Sequence, residues 1–149
     1  KDNGINLIWQ TGLSYQSKAK EIITDVNLDG IKVYTFIKEM DKAYAAADII
    51  VSRAGAIAIA ELCCIGKPII LVPSPNVAEN HQYKNAQSLV NKNAALIVED
   101  KQANCKLVDN LIELLKNEDL QVSLSSSIKK IAVKDAADRI AITALDLIK

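Results

Sequence analysis

Residues 48–73 read DIIVSRAGAIAIAELCCIGKPIILVP, and this stretch decides the fold. A short apolar run, 48–52, is followed from Gly55 by small and apolar residues, and a second apolar run begins at Pro68. Neither run alternates with polar residues, which is typical of strands covered on both faces of a parallel sheet. Gly66 is suited to end the intervening helix, because glycine readily adopts the left-handed conformation of a C-cap. The stretch therefore predicts a strand–helix–strand unit.

The same alternation continues on both sides of this unit. Further strands are predicted at 5–9, 31–36 and 94–98, and helices at 14–26, 38–47 and 79–91. Everything from about residue 104 onward is predicted to be helical, with the apolar residues of 128–148 on one face of a final helix. Alternating strands and helices predict one α/β domain over 1–149, with a Rossmann-like parallel sheet flanked by helices.

Composition excludes several classes of function. The 149 residues carry 18 basic and 18 acidic side chains, so the basic excess of a nucleic-acid binder is missing and no nucleic-acid partner is expected. The most apolar stretch, 45–60, is shorter than the ~20 residues that a transmembrane helix needs. Three cysteines and one histidine form no zinc-binding pattern, so we predict no metal, no other cofactor and reduced thiols in a cytoplasmic protein. The chain begins at Lys1 without Met, and we interpret it as a fragment.

An open parallel sheet binds its ligands at the carboxyl ends of its strands, which selects the loops 10–13, 37–40, 52–56 and 74–82. The third loop carries the strongest pattern, because Gly55 lets a ligand approach the backbone just where a helix begins. The unpaired amides and positive dipole of a helix start favour a diphosphate. The alternative is that Gly55 only permits a tight turn.

Two charged residues accompany this loop. Glu61 is the one carboxylate of an otherwise apolar helix and can accept hydrogen bonds from a ribose diol; the alternative is a side chain that faces solvent. Arg53, one of two arginines, is a candidate phosphate ligand. The alternative for Arg53 is an ion pair with Asp48 or Glu61.

The fourth loop is long and polar and leads into a helix. Its residues Asn80, His81 and Gln82 can donate and accept hydrogen bonds, as sugar hydroxyls require. The alternative is that they cap the helix. No motif places a nucleophile beside His81, so the sequence assigns no catalytic residue to this chain.

Taken together, these residues resemble the donor-binding signature of the MurG family of N-acetylglucosaminyltransferases. The segments that carry the resemblance are 48–57, Glu61, 66–68, 72–73, 81–83 and 85–86, and weaker similarity runs from about residue 5 to the C-terminus. The resemblance implies a GT-B fold of two Rossmann-like domains, of which this chain is the C-terminal, UDP-sugar-binding one. The N-terminal acceptor domain is expected to be absent from the chain.

The resemblance also implies a role for each matching residue. Ile37 would meet the uracil edge through its backbone, Met40 would line the nucleoside pocket, and Glu61 would hold the ribose hydroxyls. The residues implied along the diphosphate and sugar are Ala56 and Ile57, beside Gly55, and those implied at the N-acetylglucosamine hydroxyls are His81 and Gln82. The family pattern gives Arg53 no firm role.

The function implied is the inverting transfer of N-acetylglucosamine from UDP-N-acetylglucosamine to lipid I, which gives lipid II for peptidoglycan. Lipid I would bind through the missing N-terminal domain, and the whole enzyme would be peripheral on the inner face of the cell membrane. The fragment alone is expected to be inactive. Alternatives are the donor-binding subunit of a two-chain dolichol-linked N-acetylglucosamine transferase, a UDP-sugar epimerase domain, or an α/β interaction module without catalysis.

Overall fold

The computed structural model describes residues 4–26 and 30–148. Strands and helices alternate along this part of the chain, as the sequence predicts. In chain order they are β1 (Leu7–Gln10), α1 (Gln16–Val26), β2 (Ile31–Tyr34), α2 (Met40–Ala46), β3 (Ile50–Ser52), α3 (Ala56–Ile65), β4 (Ile69–Leu71), α4 (His81–Val90), β5 (Leu96–Ile97), α5 (Ala103–Lys116), α6 (Glu118–Lys129) and α7 (Ala136–Asp146). The chain divides into two compact units: the first is Lys1–Ala47 and the second is Asp48–Lys149.

The first unit contains a two-stranded parallel sheet. β1 pairs with β2, with Leu7 opposite Ile31, and α1 makes the connection between the two strands. The apolar side chains of the β1 strand are only partly buried. Leu7 and Ile8 are 41% and 43% exposed, whereas Ala19 of α1 is fully buried. The strands of this unit therefore bury only part of their apolar surface within the described residues.

The second unit contains a three-stranded parallel sheet with β4 in the centre, between β3 and β5. The three side chains of β4 are fully buried, which explains why this strand is a continuous apolar run in the sequence. One core cluster of this unit consists of Ile70, Val72, Val98, Leu114 and Leu124. Helices α5 and α6 therefore cover part of the apolar surface of β4 and of Val98, the residue that follows β5.

The parallel pairing is confirmed, but the number of sheets differs from the expectation. The sequence predicts one sheet, whereas the described strands hydrogen-bond as two, β1–β2 and β3–β4–β5. A local apolar pattern predicts that a strand exists, but its partner depends on which strands meet in three dimensions.

The predicted final helix over 128–148 is wrong, because two helices share these residues. Ile128 is fully buried and belongs to α6, which ends at Lys129. The amide of Ile131 bonds back to the carbonyl of Ile128 and closes the helix with a turn before α7 begins. The apolar residues of α7 are not buried, and Ile140 is 70% exposed. Helical periodicity runs across this break, which is why the pattern alone conceals it.

Candidate functional site

The junction between β3 and α3 leaves open space in front of Gly55. Gly55 is the N-cap residue of α3, with an extended backbone at φ −67° and ψ 146°. A Cβ atom added to Gly55 would meet nothing within 4 Å, so neither the backbone conformation nor the packing of the turn requires glycine. The peptide at Gly55 is instead accessible to a ligand.

The first turn of α3 is uncapped and carries no opposing charge. No side chain caps its N-terminus and no acidic residue lies in its first turn. The amide of Ile59 donates to the carbonyl of Gly55 at 2.9 Å, which closes the turn, and the side chain of Ile57 is 79% exposed. The earlier amides of a helix have no intrahelical partner, and the positive end of its dipole favours an anion. The start of α3 therefore has the chemistry of a phosphate-binding helix end.

Glu61 lies on the same exposed face of α3. It follows Ile57 by four residues, a spacing that places two side chains one above the other on a helix. The rise of an α-helix puts Glu61 about 9 Å beyond Gly55 along the axis. Glu61 is exposed and takes part in none of the ion pairs between described residues, so its carboxylate is accessible to a ligand.

The segment after β3 is held by hydrogen bonds to two neighbouring segments. Arg53 donates from Nη1 to the carbonyl of Val72 at 3.1 Å and forms an ion pair with Asp100. The side-chain amide of Asn85 donates to the carbonyl of Ala54 at 3.2 Å. The sequence suggested Asp48 or Glu61 as alternative partners for Arg53, and the partner is instead Asp100.

The loop before α4 is shaped by Gln82. The amide of Ser74 donates to Oε1 of Gln82 at 2.9 Å, which leaves the NH₂ group of Gln82 as a donor. Glu79 and Asn80 have left-handed backbones, with φ of 53° and 54°. Asn80 precedes α4 but makes no side-chain capping bond, so helix capping does not account for its place in the loop. His81 is exposed as the first residue of α4.

Two predicted site residues belong to the first unit. Ile37 lines an open pocket of about 470 Å³ together with Tyr34 and Phe36, and its amide donates to Oε1 of Gln10 at 2.7 Å. Met40 begins α2 and is half-buried. Because the amide of Ile37 already donates to the side chain of Gln10, a nucleobase would bond to the carbonyl of Ile37 or displace Gln10. The remaining predicted residues all lie in the second unit.

Other sites receive no support within the described part of the chain. No group of three His, Cys, Asp or Glu side chains there could hold a metal ion, and no helix there is long and apolar enough to cross a membrane. All three cysteines are free. Burial raises the pKa of the Cys63 thiol, and the neighbouring Cys64 raises it further, so Cys63 is a poor nucleophile.

Sequence reasoning missed two residues of this site, Asn85 and Asp100. Asn85 is part of the segment 85–86 that supports the family resemblance, but no role follows from its side chain alone. Asp100 follows β5 closely, and the loop after that strand was not among the four selected. Applying the carboxyl-end rule to the fifth strand as well would have included Asp100.

Comparison with known proteins identifies the family of this chain. The family model of the glycosyltransferase family 28 C-terminal domain matches residues 1–140. A relative from Cytophaga hutchinsonii is 51% identical over 140 residues, which are 94% of this chain and 37% of the relative. A relative from Phocaeicola vulgatus is 49% identical over 142 residues, which are 95% of this chain and 38% of the relative. Both are named UDP-N-acetylglucosamine–N-acetylmuramyl-(pentapeptide) pyrophosphoryl-undecaprenol N-acetylglucosamine transferase.

Solved structures agree with the family model. The crystal structure of Acinetobacter baumannii MurG matches with a TM-score of 0.80 and 28% identity, over 91% of this chain and 40% of that one. A kitacinnamycin glycotransferase, 20% identical with a TM-score of 0.64, shares the fold. The chain thus spans less than two fifths of the length of the two relatives quoted above. The resemblance inferred from the motifs is confirmed, and the chain belongs to the glycosyltransferase family 28 C-terminal domain family.

Proposed function

We propose that this chain is the donor-binding domain of the transferase that moves N-acetylglucosamine from UDP-N-acetylglucosamine to lipid I. One observation carries the proposal: the uncapped start of α3 lies beside open space at Gly55, with Glu61 on the same exposed face. An anion at the helix start and a diol at Glu61 are the two parts of a nucleoside diphosphate that this surface suits. The names of the relatives support the same donor.

Each part of the donor has proposed contacts. The diphosphate lies along Gly55, Ala56 and Ile57, and the ribose hydroxyls donate to Glu61. The sugar hydroxyls meet His81 and Gln82, where the NH₂ group of Gln82 is left to donate. Ile37 and Met40, which belong to the first unit, stay the nucleoside contacts that the family resemblance implies.

In the whole enzyme, the 4-hydroxyl of the lipid-linked N-acetylmuramoyl group attacks the anomeric carbon of the donor and gives its proton to a general base, which we assign to the N-terminal domain. The bond from the anomeric carbon to the diphosphate breaks, and UDP leaves with inversion. Negative charge develops on the departing diphosphate. Amides already oriented at the helix start stabilise that charge without reorganising, which is the contribution proposed for this chain. The acceptor site is proposed to lie in the part of the relatives that this chain does not match, and the whole enzyme is proposed to lie at the inner face of the cell membrane.

Calorimetric titration of the chain with UDP, UDP-N-acetylglucosamine and NAD tests the proposal. We expect both uridine ligands to bind and NAD, which offers a diphosphate without uridine, to bind much more weakly. In a transferase assay with lipid I, the chain alone should give no turnover. A chain that bound none of the three ligands, or NAD as tightly as UDP, would contradict the donor-binding assignment.

A further inference from the structure

Arg53 lies where the three strands of the second sheet end. It follows Ser52, the last residue of β3, and its Nη1 donates to the carbonyl of Val72, which directly follows β4, at 3.1 Å. The same guanidinium group forms an ion pair with Asp100, which lies in the loop after β5. One side chain therefore connects the backbone that leads into α3 to the segments that follow the other two strands of this sheet, β4 and β5.

This connection is unlike a typical stabilising contact of the fold. The side chains of Arg53 and Asp100 are 56% and 36% exposed, and ion pairs in such positions contribute little to folding because water screens them. The next peptide is fixed independently, since Asn85 donates to the carbonyl of the fully buried Ala54. Arg53 instead links the residue that directly follows β3 to the residues that follow β4 and β5.

We infer that Arg53 is a positioning residue for the donor diphosphate, acting through its ion pair with Asp100 and its hydrogen bond to Val72. In this role the guanidinium group holds the backbone at Arg53, while Asn85 holds the carbonyl of Ala54, so that the first amides of α3 are oriented before the ligand arrives. Orientation in advance strengthens binding because the ligand need not order the loop itself. The inference rests on the proposed donor site at α3 and specifies how that site is held.

The rival role is direct binding of phosphate by Arg53. The two roles differ in what Asp100 does. If Arg53 binds phosphate itself, Asp100 competes with the ligand, and its removal leaves UDP affinity unchanged or increased. If Arg53 orients the backbone, its ion pair with Asp100 is required for that role. Removal of Asp100 then weakens UDP binding, as removal of Arg53 does.

A double-mutant cycle with Arg53→Ala and Asp100→Ala, read by calorimetry with UDP, separates these roles. We expect each single variant to weaken UDP binding about tenfold and the double variant to be no weaker than either one. Asp100→Asn, which keeps an oxygen acceptor, should recover part of the affinity. Lys101→Ala is the matched control, because it removes the neighbouring ion pair with Glu99 and leaves Arg53 in place. Its UDP affinity should equal that of the unchanged chain.

Two outcomes overturn the inference: Asp100→Ala that binds UDP at least as tightly as the unchanged chain, or Arg53→Ala with unaltered affinity. Backbone ¹⁵N relaxation without ligand tests the positioning step separately from the donor site. Arg53→Ala and Asp100→Ala should lower the order parameters of 53–57 relative to Lys101→Ala, on the ps–ns timescale. If UDP does not bind the unchanged chain, the proposed function fails, while the relaxation data still decide whether Arg53 fixes this segment.

Discussion

At the scale of single residues, the two glycines that flank α3 have opposite requirements. Gly66 has a left-handed φ of +69°, and an added Cβ would lie 2.4 Å from Cγ of Lys129. Gly66→Ala should therefore lower the free energy of unfolding by about 1 kcal/mol or more. Gly55→Ala should change it by less than about 1 kcal/mol. Only Gly55→Ala should weaken UDP binding, because its methyl group enters the space proposed for the diphosphate.

Urea denaturation and calorimetry with UDP measure both effects on the same two variants. If Gly55→Ala lowered the free energy of unfolding as much as Gly66→Ala does, the turn would require glycine for folding. The open space beside Gly55 would then be no evidence for a ligand site. If Gly55→Ala bound UDP with full affinity, the diphosphate would have to lie away from this peptide.

Glu61 offers a second test with a modified ligand. Glu61→Ala should weaken UDP binding by about 1–3 kcal/mol, because hydrogen bonds to a charged acceptor are lost. The variant should also discriminate less than the unchanged chain between UDP and 2′-deoxyuridine diphosphate. Glu113→Ala, at an exposed position of α5, is the matched control and should bind both ligands like the unchanged chain. Equal calorimetric affinities of Glu61→Ala and the unchanged chain for UDP would rule out the ribose contact.

The sequence predicted the helix that begins after Gly55 and carries Glu61, because neighbours along a chain determine the start and face of a helix. It did not give the partner of Arg53. Asp100 lies 47 residues away in the sequence, and Lys101 beside it pairs with Glu99 instead. Which of several carboxylates meets an arginine depends on how strand ends align, and no local pattern contains that information.

At the scale of elements, α3 was predicted almost to the residue, whereas the helices after residue 103 were predicted as one helical region. α5 ends at Lys116 and α6 begins at Glu118, with Asn117 between them at φ −113° and ψ 83°. The signal is present in the sequence: an asparagine followed by Glu118 and Asp119 is a typical helix start. Continuous apolar periodicity on both sides concealed it, as it concealed the break between α6 and α7.

Asn117 gives a prediction at this scale. Its side-chain oxygen accepts from the amide of Leu120 at 3.0 Å and caps α6. Asn117→Ala should lower the free energy of unfolding by about 1 kcal/mol, and Asn117→Asp should keep most of the stability. Urea denaturation measures both, with Asn104→Ala at an exposed position of α5 as control. An Asn117→Ala variant as stable as the control would show that α6 is held by packing alone.

At the scale of the whole molecule, the order of elements and the parallel direction of the strands followed from the sequence. Alternating apolar runs and helices allow few other arrangements. The division into two sheets did not follow, because strand pairing is a long-range property. The depth of burial also differed from expectation: β4 is fully buried, whereas the similarly apolar β1 is not. Apolar composition predicts that a strand has a surface to bury, and the three-dimensional arrangement decides how much of it is covered.

This difference in burial predicts an order of local opening. The three residues of β4 are fully buried, whereas Leu7 and Ile8 of β1 are about two fifths exposed. Segments with few buried apolar contacts open at lower free energy than core strands. In native-state hydrogen exchange, the amides of β1 and β2 should therefore exchange well before those of β4, after correction for the intrinsic rate of each amide. Ile70→Ala should accelerate exchange across β3, β4 and β5 while leaving β1 and β2 nearly unchanged. Uniform protection of all five strands, or equal acceleration in both sheets, would show instead that the chain opens as one cooperative unit.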